Sequence, residues 1–177
     1  MSVSAPDYFP RFAFAMTPVC DLCDAFPEQV SVLAPVFTSF GGRDAFAGPA
    51  ETLLTHEDNS RVKEAVAEPG GGRVLVIDGG GSLKRALMGG DLAAKAAKNG
   101  WAGVIVNGAV RDIGELRAEP LGLLALALCP MKTEKRGQGV RGEPVSVAGV
   151  VIRRGDWIYA DPDGVITARD ALTPPAR

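Results

Sequence analysis

The clearest pattern lies in the middle of the chain, where short apolar runs alternate with helical periodicity. Residues 73–78 (Arg-Val-Leu-Val-Ile-Asp) are almost continuously apolar, as expected of a strand buried on both faces. In 91–100, Leu92, Ala93, Ala96 and Ala97 share one helical face, while Lys95 and Lys98 point away. Asp91 is placed to cap that helix, and Asn99-Gly100 to end it. Residues 103–106 (Gly-Val-Ile-Val) predict a second buried strand, 111–119 a short polar helical link, and 123–128 a third strand. Strand, helix, strand, helix, strand describes a parallel βαβαβ core.

The flanks read differently. From Pro144 onward, segments at 145–147, 150–152, 157–159 and 165–167 are short and separated by turn residues, among them Gly155-Asp156 and 161–164 (Asp-Pro-Asp-Gly). That spacing suits antiparallel strands. Residues 36–40 and 46–55 are expected to add further strand. The pattern as a whole predicts an α/β fold, a parallel core with an additional β layer. Residues 1–19 are expected to be an N-terminal extension, 20–172 a single domain and 173–177 a loose tail.

Composition removes several classes. The 177 residues are 46% hydrophobic and 23% charged, enough apolar side chains for one sizeable core. Nineteen basic against 21 acidic residues leave a net charge of −2, which argues against direct nucleic-acid binding. Three cysteines cannot all pair, and a reducing cytoplasm is the expected compartment. No apolar run approaches the ~20 residues of a membrane helix, and the start lacks a basic signal-peptide region.

Of the 22 glycines, ten are clustered at 41–42, 70–72, 79–81 and 89–90, which marks turns or close backbone approaches. The cluster after the first core strand is not a dinucleotide loop. Lys84 stands where the third glycine of a Rossmann fingerprint belongs, and the next strand ends in Asn107-Gly108 rather than an acid. A different site fits. Gly89, Gly90, Asp91 and Leu92 open a helix, where unpaired N–H groups and the positive dipole end accept an anion. At the end of the next strand, Arg111 offers a planar fork for a carboxylate, and Asp112 a hard oxygen for Mg²⁺ or Mn²⁺. Both segments fall at carboxyl ends of neighbouring strands, where open α/β sheets place ligands. The other reading, a surface turn at Arg111-Asp112 with glycines that only close loops, stands about level on the residues alone.

At these residues the chain resembles the family of regulator of ribonuclease E activity A (RraA) and the 4-hydroxy-4-methyl-2-oxoglutarate aldolases. The resemblance runs through 21–24, 37–43 (Phe-Thr-Ser-Phe-Gly-Gly-Arg), 46–48, 57–59 (Glu-Asp-Asn), 74–82, 86–87, 100–103, 107–112 (Asn-Gly-Ala-Val-Arg-Asp), 155–156 and 159–164. It implies a three-layer β/β/α swivelling-domain fold, a homotrimer, and sites at subunit boundaries. It also implies cleavage of 4-hydroxy-4-methyl-2-oxoglutarate to two pyruvates and decarboxylation of oxaloacetate, both through a pyruvate enolate and with a divalent metal. In that scheme Asp112 holds the metal. Arg111 and the amides of Gly89, Gly90, Asp91 and Leu92 bind the 2-oxo acid, and Arg111 and Asp91 are the catalytic pair. Nineteen residues separate Asp91 from Arg111, one fewer than the aldolase pattern and closer to the regulator branch. The aldolases also take an acidic residue from a neighbouring subunit, and its counterpart here is not identifiable. The alternative is a protein-binding inhibitor of ribonuclease E, which would need neither metal nor Asp112. A menaquinone methyltransferase is rejected for want of a glycine-rich S-adenosylmethionine loop with an acidic ribose partner.

Other residues take plainer roles. Cys20-Asp-Leu-Cys23 has no second pair and His56 is the one histidine, so a four-ligand zinc site lacks candidates. One of these cysteines is expected to be buried as its helix opens, and His56 to be a polar turn residue. Lys132, Lys135, Arg136 and Arg141 form a basic loop, read as a solvated connector, with a partner-binding rim as the lesser reading. Trp101 and Trp157 are read as core or interface residues.

Overall fold

The computed structural model describes residues 16–174; positions 1–15 of the expected extension and 175–177 of the expected tail lie outside them. In chain order the elements are α1 (Val19–Ala25), β1 (Val30–Val32), β2 (Thr38–Ser39), β3 (Phe46–Leu54), α2 (Ser60–Ala67), β4 (Val74–Asp78), β5 (Ala86–Met88) and α3 (Gly90–Lys98). There follow β6 (Gly103–Val110), α4 (Ile113–Ala118), β7 (Gly122–Leu128), β8 (Val140–Arg141), β9 (Val145–Val147), β10 (Val150–Ile152), β11 (Trp157–Asp161) and β12 (Gly164–Ala168).

The main sheet runs β1-β12-β11-β3-β4-β6-β7-β2, with β5 added beside β6 and β8 beside β3; β9 and β10 form a separate hairpin. Its centre, β3-β4-β6-β7, is parallel throughout. The predicted βαβαβ core is therefore β4-α3-β6-α4-β7. The continuous apolar runs follow from burial on both faces, because alternate residues of one strand serve different cores. Leu75 and Ile77 pack with Val62, Ala65 and Val66 of α2 and with Ala93 and Ala96 of α3. Val74 and Val76 join Ile105, Val145, Val147, Ile152 and Ile158 on the opposite side. One face of the parallel sheet thus meets helices, and the other meets strands.

The antiparallel expectation for 145–167 holds: β9 pairs β10, and β11 pairs β12. Strand also forms at β2 and β3, within the two segments expected to carry it. Trp101 is buried, with its indole N–H donating to the Glu68 carbonyl at 3.2 Å; Trp157 is half-buried and stacks on Tyr159 at 6.0 Å. Two expectations need correction. Asp91 does not cap α3. The helix begins one residue earlier, Gly89 occupies the capping position with extended backbone (φ −134°), and Asp91 lies in the first turn. Neither cysteine of α1 is buried, Cys20 being exposed and Cys23 half-exposed. Val19 and Leu22 take the inward positions against Tyr159 and Ile166 instead.

No helix among the described residues is long and apolar enough to cross a membrane.

Candidate active site

The site is assembled by a break in the sheet. β4 pairs with β6 up to Asp78↔Asn107, and then the chain leaves through the 79–81 glycines. It returns as β5, which takes over beside β6 at Ala86↔Ala109 and Met88↔Val110. The Arg111 N–H donates to the Met88 carbonyl at 3.0 Å. That pairing sets the segment entering α3 directly against the segment leaving β6, so residues 89–92 and 111–112 meet.

Asp112 turns the chain into α4 with left-handed backbone (φ 65°, ψ 48°), a conformation that carries a steric cost for any residue but glycine. There its Oδ2 accepts the Gly90 N–H at 3.0 Å, so the first orphan donor of α3 is satisfied by a carboxylate from the neighbouring strand end. The Arg111 Nε stands 3.7 Å from the same oxygen, and its Nη1 donates to the Pro130 carbonyl at 3.4 Å. Both side chains keep 39% of their surface exposed. Gly89 is tightly held: a Cβ there would stand 2.6 Å from Asp112 Oδ2 and 3.3 Å from Arg111 Cγ. Only a residue without a side chain lets the Arg–Asp pair lie across the helix entrance.

These groups open onto a cleft of about 480 Å³ lined by Gly89, Asp91, Leu92, Arg111 and Asp112, together with Asn59, Lys63, Lys95, Lys132 and Lys135. All but one of the expected site residues line it. The exception is Gly90, which is buried, its N–H spent on Asp112. The first-turn donors left for a ligand are the N–H groups of Asp91 and Leu92, which have no partner within the helix. Lys132 and Lys135 are exposed on a connector, as expected, and that connector also forms one wall of the cleft. Arg141 does not belong with them. It pairs with Glu68 at 2.8 Å and with Glu51 at 3.5 Å, away from the cleft.

The wall is fastened by 55–60. The buried Asp58 carboxylate accepts the N–H groups of Ser60 at 2.8 Å, Arg136 at 2.6 Å and Gln138 at 3.3 Å. Thr133 donates its hydroxyl to Asn59 at 2.7 Å, and the Gly137 N–H donates to the Ser60 hydroxyl. Burial alone would push the Asp58 carboxyl up, but the hydrogen bonds from Ser60, Arg136 and Gln138 outweigh it and hold the group below its ordinary range. His56, beside this clasp, is a turn residue with its side chain 72% exposed, as expected. Sequence reasoning missed Asn59, Lys63 and Lys95 as lining residues. Periodicity places Lys95 off the buried face of α3, which is correct, but does not tell that this direction faces the cleft.

Among the described residues no three His, Cys, Asp or Glu side chains converge in a way that could hold a metal ion. The donor chemistry at Asp112 nonetheless suits a hard cation that retains most of its water. One carboxylate stands half in solvent, with Oδ1 unpartnered beside the bonded Oδ2. Mg²⁺ is commonly held by one or two carboxylates plus waters and substrate oxygens. Arg111, Asp112 and the start of α3 thus meet in one open cleft on a parallel α/β scaffold.

Residues 19–167 match the family model described as RraA-like, Aldolase/RraA, and the chain belongs to that family. A protein of Ectopseudomonas mendocina (strain ymp) bearing the name "Putative 4-hydroxy-4-methyl-2-oxoglutarate aldolase" is 55% identical over 155 residues, 88% of this chain and 96% of the relative. Among solved structures, the RNA-processing inhibitor RraA from Thermus thermophilis superposes with a TM-score of 0.86 at 47% identity, covering 89% of this chain and 96% of that one. A Geobacillus kaustophilus HTA426 protein described as an S-adenosylmethionine:2-dimethylmenaquinone methyltransferase gives 0.85 at 42% identity, covering 88% and 97%.

Proposed function

We propose that this protein is a divalent-metal-dependent carbon–carbon lyase of 2-oxo acids. In this reading it cleaves 4-hydroxy-4-methyl-2-oxoglutarate to two pyruvates and decarboxylates oxaloacetate. The observation that carries the reading is the junction of Arg111, Asp112 and the α3 entrance in one open cleft. The name borne by relatives at 55% identity supports it. The family fold is taken to be the three-layer β/β/α swivelling arrangement in a single domain over 20–172, and the assembly a cytoplasmic homotrimer.

Arg111 binds and orients the substrate through its planar fork, which matches a carboxylate. The N–H groups of Asp91 and Leu92 receive further pyruvyl oxygens at the positive end of α3. Asp112 would hold Mg²⁺ or Mn²⁺, and that cation, when bound, would supply Lewis-acid stabilisation of negative charge on the 2-oxo acid. Bond cleavage in either reaction leaves a pyruvate enolate, and Arg111 stabilises that charge as it forms. Asp91, in the first turn of α3, takes the proton of the 4-hydroxyl group or returns one to the enolate carbon. Gly89 and Gly90 keep the entrance narrow enough for these groups to act together.

The test is pyruvate release from both substrates with Mg²⁺, with and without chelator. Arg111→Ala and Asp112→Ala are each expected to abolish it; full activity in either variant refutes the assignment. The similarity to the RNA-processing inhibitor favours a second reading, a protein that docks on ribonuclease E and lowers its activity. That function would survive chelation and both substitutions, so the same variants assayed for ribonuclease inhibition separate the two.

A further inference from the structure

The break in the sheet that assembles the site leaves residues 82–85 outside the ladder with β6. Gly79 and Gly81 still donate their N–H groups to the Asn107 carbonyl, each at 3.1 Å, and pairing with β6 resumes only at Ala86↔Ala109. Long-range side-chain bonds fix the two ends of the stretch between. Arg85 donates to the Lys132 carbonyl at 3.0 Å on the cleft wall. At the other end the Ser82 hydroxyl donates to the Glu57 carboxylate at 2.7 Å, across 25 residues of sequence.

Glu57 reaches Ser82 from a strained backbone. Its φ of 53° is left-handed, as at Asp112 and Ala148, a conformation with a steric cost for any residue that carries a Cβ. Such a residue persists where its surroundings over-determine it, and here they do. On one side the Thr55 N–H donates to the Asp78 carbonyl at 3.0 Å and the Thr55 hydroxyl to the Asp58 carbonyl at 2.7 Å. On the other side Asp58 is locked into the clasp. With the reversal at 57, Asp58 faces the 136–138 wall and Glu57 faces the glycine loop. The Ser82 bond is the leading influence on the Glu57 carboxyl and holds it below its ordinary range, burial opposing and His56, Lys84 and Arg85 assisting.

The position of Ser82 reaches the site by a short route. β5 is only three residues long (Ala86–Met88), and its last carbonyl accepts the Arg111 N–H at 3.0 Å. Gly89 follows, where a Cβ would stand 2.6 Å from Asp112 Oδ2, and then Gly90, whose N–H donates to that oxygen. A strand so short and a junction so close leave little room to absorb a displacement that starts at Ser82.

We infer that Glu57 is a positioning residue: through Ser82 it fixes where the chain re-enters the sheet as β5, and β5 sets the α3 entrance against Arg111 and Asp112. The inference rests on the proposed function for the reaction performed at that junction. Glu57 itself touches no substrate in this scheme.

The test uses the full chain with Mg²⁺ and compares the wild type with Glu57→Gln, Glu57→Gly, Ser82→Ala and the double variant Glu57→Gly/Ser82→Ala. Glycine adopts this left-handed φ without steric cost, so Glu57→Gly relieves the backbone as it removes the bond, and its unfolding midpoint should stay at the wild-type value. Pyruvate release from 4-hydroxy-4-methyl-2-oxoglutarate should nevertheless fall about tenfold in kcat/KM, the lower end of what a hydrogen bond to a charged group supplies. Ser82→Ala should match that loss, and the double variant should fall no further than either single one. Glu57→Gln keeps an acceptor oxygen and should recover most of the activity. Amide exchange gives a readout independent of turnover. The Arg111 and Gly90 N–H groups should exchange faster in Glu57→Gly and Ser82→Ala, while the amides of β12 keep the wild-type rate. Wild-type turnover in Glu57→Gly, additive losses in the double variant, or unchanged exchange at Arg111 and Gly90 each overturn the inference. So does a loss of activity that merely follows a lowered midpoint. Exchange that responds as expected in a protein that releases no pyruvate sinks the lyase reading and leaves the positioning role of Glu57 standing.

Discussion

Two charged clusters in this protein are arranged to opposite ends. Around the middle of β3, the buried Glu51 carboxylate meets three guanidinium groups. Arg73 pairs with it at 3.0 Å, Arg154 at 2.8 Å and Arg141 at 3.5 Å, and Glu51 itself is 4% exposed. Arg73 also lies over the Trp101 ring at 4.6 Å. Every partner comes from a different segment, so the cluster ties β3, the start of β4, β8 and the 153–156 turn together. In the cleft, by contrast, four lysines stand without carboxylates, and Asp112 holds a left-handed backbone in order to face the α3 entrance. Charge that is satisfied inside the chain is architecture. Charge left open around a concavity is accessible to whatever arrives from outside.

The sharpest way to break this contrast is to remove the one anion of the closed cluster. Glu51→Gln keeps the shape but leaves three guanidinium groups around a neutral amide. Removing one partner of a buried pair typically costs about 3 kcal/mol or more; the partial exposure of Arg73 and Arg154 places this case at the lower end. Denaturant unfolding should show a loss of about 3 kcal/mol, while pyruvate release per folded molecule stays within about twofold. A variant as stable as the wild type would show that the cluster does not hold the segments together.

The converse experiment strikes the cleft and spares the fold. Gly89 has extended backbone that any residue can adopt, so Gly89→Ala should cost only the Asp112–Gly90 hydrogen bond that its methyl group disturbs, about 1–2 kcal/mol. Its new methyl group must displace the Asp112 carboxylate and the Arg111 stem. A misplacement of that order costs roughly a hundredfold in kcat/KM. Wild-type turnover in this variant would mean that the position of the Arg–Asp pair does not matter to the chemistry.

The difference between the clusters also explains what could be read from the amino-acid order. The strands β4, β6 and β7 were legible as unbroken apolar runs committed to burial on both faces, and α3 by its helical period. Arg111-Asp112 and Gly89 were legible as a pair of segments at strand ends, because the topology of a parallel sheet brings such ends together. The three-residue β5 was not, although its pairing with β6 is what joins the two halves of the site; a run of Ala-Leu-Met after a glycine loop carries no period. The capping role given to Asp91 failed because Asp112, from the next strand end, supplies the carboxylate that a local cap would have provided. Nor could Lys63, Lys95, Lys132 and Lys135 be seen as one set, since they sit on two helices and a connector and converge only in three dimensions.

The smallest expected effect concerns the clasp that holds one wall of the cleft in place. Asp58 is buried, and its carboxylate takes three backbone N–H groups, two of them from the 136–138 segment just beyond Lys132 and Lys135. Hydrogen bonds to the ionised form hold its folded pKa below the unfolded value despite burial. A group depressed in this way contributes stability that is fully present above the unfolded pKa, about 4, and is lost as pH falls through the folded one. The wall should therefore detach at a pH below about 4, before or together with global unfolding. Amide exchange at Arg136 and Gln138, followed by proton NMR or mass spectrometry, reports it directly. Asp58→Asn keeps one acceptor oxygen but carries no charge, so it should cost about 1–2 kcal/mol and remove the acid-dependent step. The exchange rates of the two amides would then be raised at neutral pH as well. If the variant keeps both amides protected at neutral pH, the 55–60 segment is a neighbour of the wall and not its anchor.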